Sequence, residues 1–528
     1  MKSNWIKYIF VIFIISILTF SVYKIKKDEN YKKQEESQEQ IRNENIVTEI
    51  KLGIASLDTI NPILSNNKHV QGISKLIYEP LINLNSEYKA EPGLAKEWAK
   101  QGDNSYLIKL RENVRWSDGQ KFTVEDVKFT IDRLKDTQTI YSANVQNVVS
   151  IDIVDDYTLK INLDREVPFF EYNLTFPILS KDYFEGEDFV NSSKNLSPIG
   201  TGKFKIAKVE PSYITLEKNT NWWNKEKKIK LEKITINLYS SVGEMYNSFK
   251  MGGLDLISTE NANIQEYIGT IGYGLKEMKG REHTFLAFNI TNNLLSRQEV
   301  RKAISYSIDK ANIVYSIFNN KCYTNAFPLD YGNWLCKEQE VSSGYNLEQA
   351  KQILIENGWN YKYNYWQKVE NYKTQKISLN LLVRSSDLNK VNVAQNLKAQ
   401  LENQGIRINI VQATDEQYQN SINQRNFDIA ICSMDVSPSP NLEIFFGESN
   451  LSNYSNEEVV NIMNEVKNTT DENILKEKYK RLMEIYKTDM PYVSLYNNKY
   501  MVAYSSELVG EITPNWFYQY YGIEDWYK

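Results

Sequence analysis

Residues 90–133 read AEPGLAKEWAKQGDNSYLIKLRENVRWSDGQKFTVEDVKFTIDR. Towards the end of this stretch apolar side chains recur three and four positions apart, which predicts an amphipathic helix over residues 122–136. Thr123 is followed by Glu125 and Asp126. A threonine before two acidic residues is typical of a helix N-cap and first turn. The stretch therefore predicts a helix with a defined start.

The same two patterns, strand and helix, continue on both sides of this stretch. Strict alternation of apolar and polar residues predicts strands within residues 47–58, 158–164, 233–239 and 377–383. Helical spacing predicts helices within residues 298–318, 346–359 and 389–405, with Gly358 and Gly405 as C-terminal stops. Strands mixed with helices over such a length indicate an α/β body of several lobes.

Composition limits the classes of protein that fit. A chain of 528 residues predicts roughly two to four domains. With 41% hydrophobic and 24% charged residues, it can bury a sizeable core, which excludes wholesale disorder. Lys+Arg 62 against Asp+Glu 67 gives a net charge of -5. A near-neutral balance provides no basic field for a phosphate backbone, so nucleic acid is excluded as a partner.

Motifs of catalysis and cofactor binding are missing from the sequence. There is no GxSxG, HExxH or CxxC, and the GTGK at residues 200–203 lacks the Ser or Thr of a phosphate loop, so Gly200 and Gly202 are expected to form a turn. His69 and His283 are the two histidines of the chain. That scarcity argues against zinc chemistry and against a histidine-based triad. We therefore predict no enzyme activity, no resident metal and no cofactor.

The N-terminus predicts a membrane anchor. Residues 8–23 read YIFVIFIISILTFSVY without a charge, and a helix over residues 5–23 would span roughly 28 Å, close to a hydrocarbon core. A cleaved signal peptide and a buried core helix are the alternatives, but residues 19–27 offer no small-residue cleavage site. Lysines on both sides leave the orientation open. Residues 24–46 are almost wholly polar and predict a linker, so the globular body begins near residue 47.

The stretch at residues 90–133 resembles a family signature. It is similar to the family 5 extracellular solute-binding proteins of ABC transporters, which include oligopeptide-, dipeptide- and nickel-binding proteins. The likeness rests on Leu94-Ala95 with Trp98, Leu110-Arg111, Trp116-Ser117-Asp118-Gly119 and Glu125-Asp126-Val127. It continues through residues 198–202, 221–223, 249–257, 286–291, 301–310 and 356–359, so that it covers roughly residues 47–528.

The resemblance implies an α/β, periplasmic-binding-protein-like clamp of type II with two lobes and an additional third subdomain. Carried over to this chain, the three parts are lobe I at about residues 47–80, 198–286 and 497–528, subdomain II at about 81–197, and lobe III at about 287–496. In such a clamp the ligand contacts both lobes when they are closed, so binding shifts an open/closed equilibrium. A membrane permease is then expected to recognise the closed form.

The resemblance also implies where a ligand would lie. In peptide-binding relatives the extended ligand pairs with strands of the protein, which gives affinity without side-chain selectivity. Two stretches match those strands, residues 66–71 (NNKHVQ) and residues 431–437 (ICSMDVS), and a cleft tyrosine is matched as well. The expected ligand-binding residues are His69, Val70, Gln71, Tyr141, Met434, Asp435 and Ser437.

At the second stretch this chain departs from the family pattern. Relatives that grip a free peptide amino group use an aspartate within a motif resembling Gly-Trp-x-x-Asp. An ungapped match places Met434 at the tryptophan and Ser437 at that aspartate. Asp435 lies two residues earlier, and on a strand it would face the same side as Ser437 and could replace the missing carboxylate. Recognition of a free α-amino group is therefore in question.

The implied function is that of an extracytoplasmic, membrane-anchored, monomeric substrate-binding protein that delivers peptides to an ABC permease. Alternatives are a binding protein for a nickel chelate, an oligosaccharide or a cell-wall fragment, a membrane-anchored ligand sensor, and an enzyme on the same scaffold. The missing nucleophile motifs argue against the enzyme. An anchor in place of a lipid, with many Lys, Ile, Asn and Tyr residues, suits a Gram-positive bacterium.

Two cysteines leave a redox question open. Cys322 and Cys336 are the two ends of a segment of 15 residues. If the body is extracellular, a disulfide between them would stabilise it by about 3 kcal/mol. The alternative is two free buried thiols, and Cys432 is expected in a strand core in either case.

Overall fold

The structure is a computed structural model that describes residues 47–260, 264, 268, 272–336 and 344–528. The anchor expected at residues 5–23 and the linker at 24–46 lie outside the described residues. Within the described part of the chain, no helix has the length and apolar character needed to cross a membrane.

The strands fall along the whole described chain. They are β1 Glu49–Ala55, β2 Ile82–Leu84, β3 Ala90–Pro92, β4 Ala95–Lys100, β5 Ser105–Leu110, β6 Val148–Asp155, β7 Thr158–Leu163, β8 Phe204–Val209, β9 Tyr213–Lys218, β10 Lys233–Tyr239, β11 Leu256–Thr259, β12 Tyr273–Phe288, β13 Cys322–Thr324, β14 Asn360–Lys362, β15 Tyr365–Glu370, β16 Lys373–Lys376, β17 Ser378–Arg384, β18 Arg407–Ala413, β19 Ile429–Asp435 and β20 Tyr492–Ser505.

Helices lie between these strands. They are α1 Lys68–Ile77, α2 Val124–Asp136, α3 Ser142–Val145, α4 Lys181–Phe184, α5 Val242–Lys250, α6 Gln298–Tyr306, α7 Lys310–Phe318, α8 Leu347–Glu356, α9 Leu388–Glu402, α10 Asp415–Gln424, α11 Glu443–Phe446, α12 Glu457–Lys467 and α13 Glu472–Asp489. Short 3-10 turns occur at Phe170–Leu174, Ser193–Leu196 and Ile523–Asp525.

Three sheets carry most of the strands. The first has the order β1-β10-β9-β8 and the second the order β4-β5-β7-β6. The third and largest has the order β11-β20-β12-β19-β17-β18, with β13 also paired to β20. It mixes antiparallel pairs with the parallel pairs β17–β18 and β17–β19. The fold is thus a mixed α/β fold, as predicted.

β12 and β20 are long strands that link different cores. The first half of β12 pairs with the second half of β20, and an irregularity between Lys279 and His283 separates this region from the other half of the pair. Val502 belongs to the core beneath the first two sheets, whereas Phe285 and Tyr492 belong to a core on one face of the large sheet. The two strands therefore connect bodies that pack around separate cores.

Alternation along β19 places the large sheet between two cores. Ile429 and Ile431 face the core that contains α6 and α9, whereas Ala430 and Cys432 face the core that contains α12 and α13. Successive strand residues point to opposite faces, so both faces of this strand are covered by helices. That double burial fixes the register of β19 against β12.

Most of the predicted strands and helices are present. Residues 47–58, 158–164, 233–239 and 377–383 contain β1, β7, β10 and β17. The Thr123 side chain caps α2, and Asp126 completes a capping box there. Gly358 and Gly405 follow α8 and α9 with φ of +82° and +79°, the left-handed conformation that favours glycine after a helix.

The prediction of one continuous helix within residues 298–318 is wrong in one respect. The structure has two helices, α6 and α7, with a break between Tyr306 and Lys310. The Asp309 side chain accepts a hydrogen bond from the Asn312 backbone N–H and caps the second helix. An aspartate side chain that satisfies a free backbone donor favours a new helix start over continuation.

Glycines 200 and 202 are required by close packing. The Gly202 backbone N–H donates to the Ile77 carbonyl at 2.8 Å. A Cβ at position 200 would lie 1.9 Å from the same carbonyl oxygen, so a side chain there would displace the backbone. The turn predicted in place of a phosphate loop brings this segment against the end of α1.

Candidate functional site

The first predicted ligand-binding stretch is not a strand. Residues 66–71 enter α1, which begins at Lys68 and is capped by Asn67. The Asn67 side chain accepts from the His69 N–H at 2.9 Å and donates to the carbonyls of Ala55 and Ser56 at 2.8 and 2.9 Å. These bonds stabilise a helix start, so the expectation of a peptide-pairing strand here is wrong.

His69 and Val70 occupy the first turn of α1 with different exposure. Val70 is 1% exposed and belongs to the core. His69 is half-buried. Burial lowers the pKa of the His69 imidazole, opposed by its hydrogen bond with the Ala55 carbonyl. His69 therefore has its side chain at the edge of the site, whereas the Val70 side chain supports the helix.

Gln71 and Tyr141 are in direct contact, as their joint assignment to one site requires. The Tyr141 hydroxyl donates to Gln71 Oε1 at 2.6 Å. The Gln71 Nε2 group donates to the carbonyls of Pro62 and Ser65, both at 2.7 Å. The amide of Gln71 is thus engaged by the protein at both ends, and it positions Tyr141 beside α1.

The second predicted stretch contains β19, and one edge of that strand is open. β19 pairs with β12 along its whole length, from Ile429 to Asp435. On its other edge β17 pairs with β19 at Ile429 and Ala430, and beyond Ala430 the described chain supplies no further strand partner. The Tyr418 hydroxyl donates to the Ile431 carbonyl at 2.7 Å. Residues 432–435 therefore present a free strand edge.

Asp435 is already paired with a cation from the protein. Its carboxylate lies 3.3 Å from Arg281 Nε. The Arg281 guanidinium lies 5.6 Å from the centre of the Trp516 ring. Both members of the pair are exposed at the surface, and the aromatic face beside the guanidinium adds a cation–π contact. The carboxylate proposed as a substitute for the missing aspartate is thus neutralised by Arg281.

Ser437 lies beyond the strand. β19 ends at Asp435, and the Val436 N–H donates to the Arg281 carbonyl at 2.8 Å. The Ser437 carbonyl accepts from the Tyr331 hydroxyl at 2.8 Å, and the Ser437 hydroxyl accepts from the Ser439 N–H at 3.1 Å. The same-side geometry expected for Asp435 and Ser437 on one strand is therefore not formed. Met434 is half-buried and remains at the strand edge.

The C-terminal segment, residues 515–519 (NWFYQ), contacts residues that neighbour both groups of predicted residues. The Trp516 ring stacks on Tyr88 with centroids 5.2 Å apart, and the same ring faces Arg281. The neighbouring Phe517 ring lies 3.4 Å from the ammonium of Lys75, on α1. The Trp516 indole N–H has no hydrogen-bond partner among the described atoms. The segment thus lies between the α1 side of the site and the end of β19.

Sequence reasoning did not identify Arg281, Trp516 or Phe517. An aromatic run near the C-terminus, WFYQYYG at residues 516–522, was the signal for two of them. Among the described residues, no hydrogen bond or ion pair directly joins Met434, Asp435 or Ser437 to the predicted residues on the α1 side. Those residues are His69, Val70, Gln71 and Tyr141. The segment at residues 515–519 therefore provides the link that the pattern did not show.

All three cysteines are free and buried. Cys322 belongs to the same core as Ile308 and Leu495, whereas Cys336 belongs to another core and lies 3.9 Å from the Met483 sulfur. Of the two alternatives, the structure has the two buried thiols and not the disulfide. Among the described residues no group of three His, Cys, Asp or Glu side chains is placed to hold a metal ion.

Comparison with known proteins defines the class. The fold has mixed α/β architecture. The chain belongs to the bacterial extracellular solute-binding proteins of family 5, since the model described as "Bacterial extracellular solute-binding proteins, family 5 Middle" matches residues 89–453. Members of this family bind peptides or small solutes and work with ABC permeases.

Individual relatives differ in what their names say they bind. The chain is 23% identical to the nickel-binding protein NikA of Staphylococcus aureus over 83% of this chain and 87% of the relative. It is 27% identical to the periplasmic murein peptide-binding protein MppA of Escherichia coli over 50% of this chain and 53% of the relative. A solved structure of MppA in its unliganded open form matches with a TM-score of 0.74 at 18% identity, covering 91% of this chain and 98% of that structure.

Proposed function

We propose that the protein is the extracytoplasmic substrate-binding component of an ABC transporter and that its substrates are peptides. The observation that carries the peptide assignment is the open edge of β19 at residues 432–435. Unpaired backbone N–H and C=O groups at a strand edge accept an extended chain as an additional strand. The protein is a binding protein and not an enzyme.

Main-chain pairing at this edge sets the expected specificity. Every peptide carries the same backbone donors and acceptors, so pairing there supplies affinity regardless of sequence. Side chains of the ligand would alternate between the two sides of the new strand. Met434 lies at one side of the edge, and Trp516 lies beside Arg281 near its end. These apolar groups favour peptides with at least one apolar side chain.

Ligand binding would change the relative arrangement of the bodies that β12 and β20 connect. A peptide on β19 contacts the large sheet, and on its other side it would meet Tyr141 and α1. A ligand that contacts two bodies stabilises the arrangement in which both contacts are made. The permease would then bind the closed form. Residues 5–23 would hold the protein at the outer surface of the cell membrane, which suits a Gram-positive cell.

A chelated nickel ion is the second candidate. One relative, which matches 83% of this chain, is named as a nickel-binding protein. Because the described residues contain no cluster of three metal ligands, a metal would have to arrive within an organic chelate that supplies most of the coordination. A chelate would place its charge near Arg281 and would not need the strand edge.

The full-length protein, purified without denaturation, tests the proposal by native mass spectrometry with acid release of bound molecules. Short heterogeneous peptides support the peptide assignment, whereas a nickel chelate with no peptide overturns it. A defined tetrapeptide and its backbone N-methylated analogues provide the control. Loss of about tenfold or more in affinity at particular methylated amides is expected from lost hydrogen bonds, each worth about 0.5 to 1.5 kcal/mol, together with the steric clash of the methyl group.

Two further observations separate the proposal from its competitors. Co-purification of a permease supports transport, whereas co-purification of a membrane kinase in its place would identify a ligand sensor. Recovery of the peptide intact after incubation with the protein is expected, because binding alone leaves the covalent bonds of the peptide unchanged. Cleaved peptide would contradict the assignment as a binding protein.

A further inference from the structure

A cavity of about 400 Å³ lies beside the proposed peptide site. It is bounded by the second half of α1 and the chain that follows, by Tyr141, and by residues 511–525 near the C-terminus. No residue of the large-sheet strands β12, β17 or β19 lines it, so it is distinct from the open edge. Its aromatic lining residues are Tyr78, Tyr141, Phe517, Tyr518 and Tyr521.

Lys75 places an ammonium group in this cavity without a counter-charge. The group donates to the Phe517 carbonyl and lies over the Phe517 ring. No carboxylate of the described residues lies within ion-pair distance of it. Burial lowers the pKa of Lys75 to about 7, because water no longer stabilises the charged form. One hydrogen bond leaves two of the three ammonium N–H donors free.

The buried carboxylates of the lining have other partners. Glu79 accepts from the indole N–H groups of Trp222 at 3.0 Å and of Trp223 at 3.1 Å. Glu524 is paired with Lys203 at 2.7 Å and with Lys227 at 2.9 Å. The other acidic groups of the lining are Glu91, Glu511 and Asp525. None of the five is paired with Lys75, so the Lys75 charge is uncompensated.

A second polar group of the lining is also unpartnered. Tyr78 is 2% exposed, and its hydroxyl has no hydrogen-bond partner among the described atoms. A buried O–H without an acceptor is costly. Tyr78 follows α1 directly and lies three residues after Lys75. The cavity thus holds an ammonium group without a counter-charge and a hydroxyl group without an acceptor.

We infer that this cavity binds a carboxylate, with Lys75 as its counter-charge and the aromatic lining around the rest of the molecule. Two sources have this chemistry. One is the C-terminal carboxylate of a peptide held on β19, and this source rests on the proposed function. The other is a free small carboxylic acid that binds without a peptide. Both place an acceptor-only group against the unpaired ammonium, where a charge-assisted hydrogen bond is strongest.

Geometry supports the peptide source. Contacts run from Asp435 to Arg281, from Arg281 to Trp516, and through the adjacent Phe517 to Lys75. An extended peptide spans at most about 3.3 to 3.6 Å per residue. In the inferred arrangement a peptide on the edge of β19 directs its C-terminus along residues 515–519 towards the cavity.

Proton uptake is a signature of this mode of binding. A bound carboxylate would restore the charged form of Lys75 and raise its pKa again. The affinity for the carboxylate should then fall by about tenfold between pH 6 and pH 8, because the charged fraction of Lys75 in the unliganded protein falls by about that factor. Calorimetry in buffers of different ionisation enthalpy should show uptake of a proton near pH 8. The acidic groups of the lining are unchanged in every variant, so they cannot account for a difference in pH dependence between variants. They are Glu79, Glu91, Glu511, Glu524 and Asp525.

The test uses the full-length protein with a tetrapeptide acid, the same peptide as its C-terminal amide, and phenylacetate. Lys75→Met should weaken the acid by about tenfold to 100-fold and leave the amide unchanged if the peptide supplies the carboxylate. If a free acid is the source, Lys75→Met should abolish phenylacetate binding and leave both peptides unchanged. Lys75→Arg should keep much of the affinity in either case, and Lys225→Met, an exposed lysine outside the cavity, is the matched control.

Equal affinities of wild type and Lys75→Met for the peptide acid, with no binding of phenylacetate, would overturn the inference. That result would leave the proposed function intact, because peptides would still bind. A wild-type protein that binds phenylacetate through Lys75 but binds no peptide would overturn the proposed function alone. Circular dichroism shows whether Lys75→Met is folded, and the pH dependence in wild type provides a readout that needs no variant.

Discussion

Arg281 Nε lies 3.3 Å from the carboxylate of Asp435. The one carboxylate of the β19 edge that could bind a ligand amino group is therefore already paired within the protein. Ser437, at the position of the family's aspartate, lies outside the strand and is engaged through its backbone. Within the described residues, the edge of β19 accordingly offers no unpaired carboxylate to a free N-terminus.

Blocking the N-terminus of a peptide should have little effect on its affinity. With Asp435 neutralised by Arg281, a free α-ammonium gains no strong charge-assisted hydrogen bond. We expect acetylated and free forms of one tetrapeptide to bind within about threefold of each other, less than the energy of one neutral hydrogen bond. Isothermal titration calorimetry at pH 7 measures both. A preference of 100-fold for the free form would show that an anion does bind the N-terminus.

Arg281→Gln should create that preference. Removing the guanidinium leaves Asp435 without its partner at the open edge. The carboxylate could then accept a charge-assisted hydrogen bond from an α-ammonium, worth about 1.5 to 3 kcal/mol. We expect the free peptide to gain about tenfold or more over its acetylated form in this variant. Arg384→Gln, which removes another half-exposed arginine paired to an aspartate, is the control and should leave the ratio unchanged.

Reducing agents should not change the stability of the protein. Cys322 and Cys336 are free and belong to different cores. Thiol labelling in denaturant without reductant should therefore detect all three cysteines, and none in the folded protein on a short timescale because all are buried. Detection of one thiol in place of three would show that Cys322 and Cys336 are bonded after all.

His283 should make the protein less stable in acid. It is 0% exposed in β12, and its Nδ1 lies 3.0 Å from the Asn325 amide nitrogen and 3.3 Å from Asn497 Oδ1. Burial lowers its pKa to about 4, opposed by Asn497, and Lys310 and Lys279 lower it further. Between pH 6.5 and pH 4 the unfolded chain binds a proton that the folded chain does not, so stability falls as the pH falls.

The size of this effect can be measured with a matched variant. From pH 7 to pH 4.5 the His283 contribution should amount to about 2 kcal/mol of lost stability, from the pKa difference between the two states. His283→Gln removes the titrating group and should lose less stability over the same range. Urea unfolding at both pH values measures the difference. Identical pH dependence in the two proteins would contradict a depressed pKa of His283.

Glu524→Gln should destabilise the body strongly. Glu524 is 6% exposed, and although burial alone would raise its pKa, the charges of Lys203 and Lys227 lower it to about 2. Removing one partner leaves the largely buried Lys203 ammonium without a counter-charge, at a cost of about 3 kcal/mol. Glu477→Gln, on the exposed face of α13, should cost far less. Equal melting temperatures for the two variants would show that the network adds no stability.

The sequence pattern predicted many helices and strands because helix caps and strand alternation depend on neighbouring residues alone. The capping box at Thr123 and the alternation in residues 233–239 need no distant contact, and both appear as expected. At residues 66–71 the strand expected from the family resemblance was wrong, because the chain enters α1 there. The Asn67 side chain bonds to the Ala55 and Ser56 carbonyls, a tertiary contact that fixes a helix start and that periodicity does not reveal.

The site was harder to predict because its decisive contacts are distant in sequence. Asp435 is paired with a residue 154 positions earlier, Arg281. Gln71 and Tyr141 are 70 positions apart, and their joint assignment came from the family resemblance and not from spacing. Lys75 was not singled out, since a lysine in an amphipathic helix is ordinary until Phe517 covers it.

Amide hydrogen exchange of residues 431–435, with and without a bound tetrapeptide, tests most directly whether a peptide pairs with the open edge of β19. Pairing should slow exchange at backbone amides of this edge by tenfold or more, since a hydrogen-bonded N–H exchanges only after the bond opens. An analogue methylated at its backbone amides should give less protection. Saturation with peptide and unchanged exchange at residues 431–435 would contradict the account and place the ligand elsewhere on the protein.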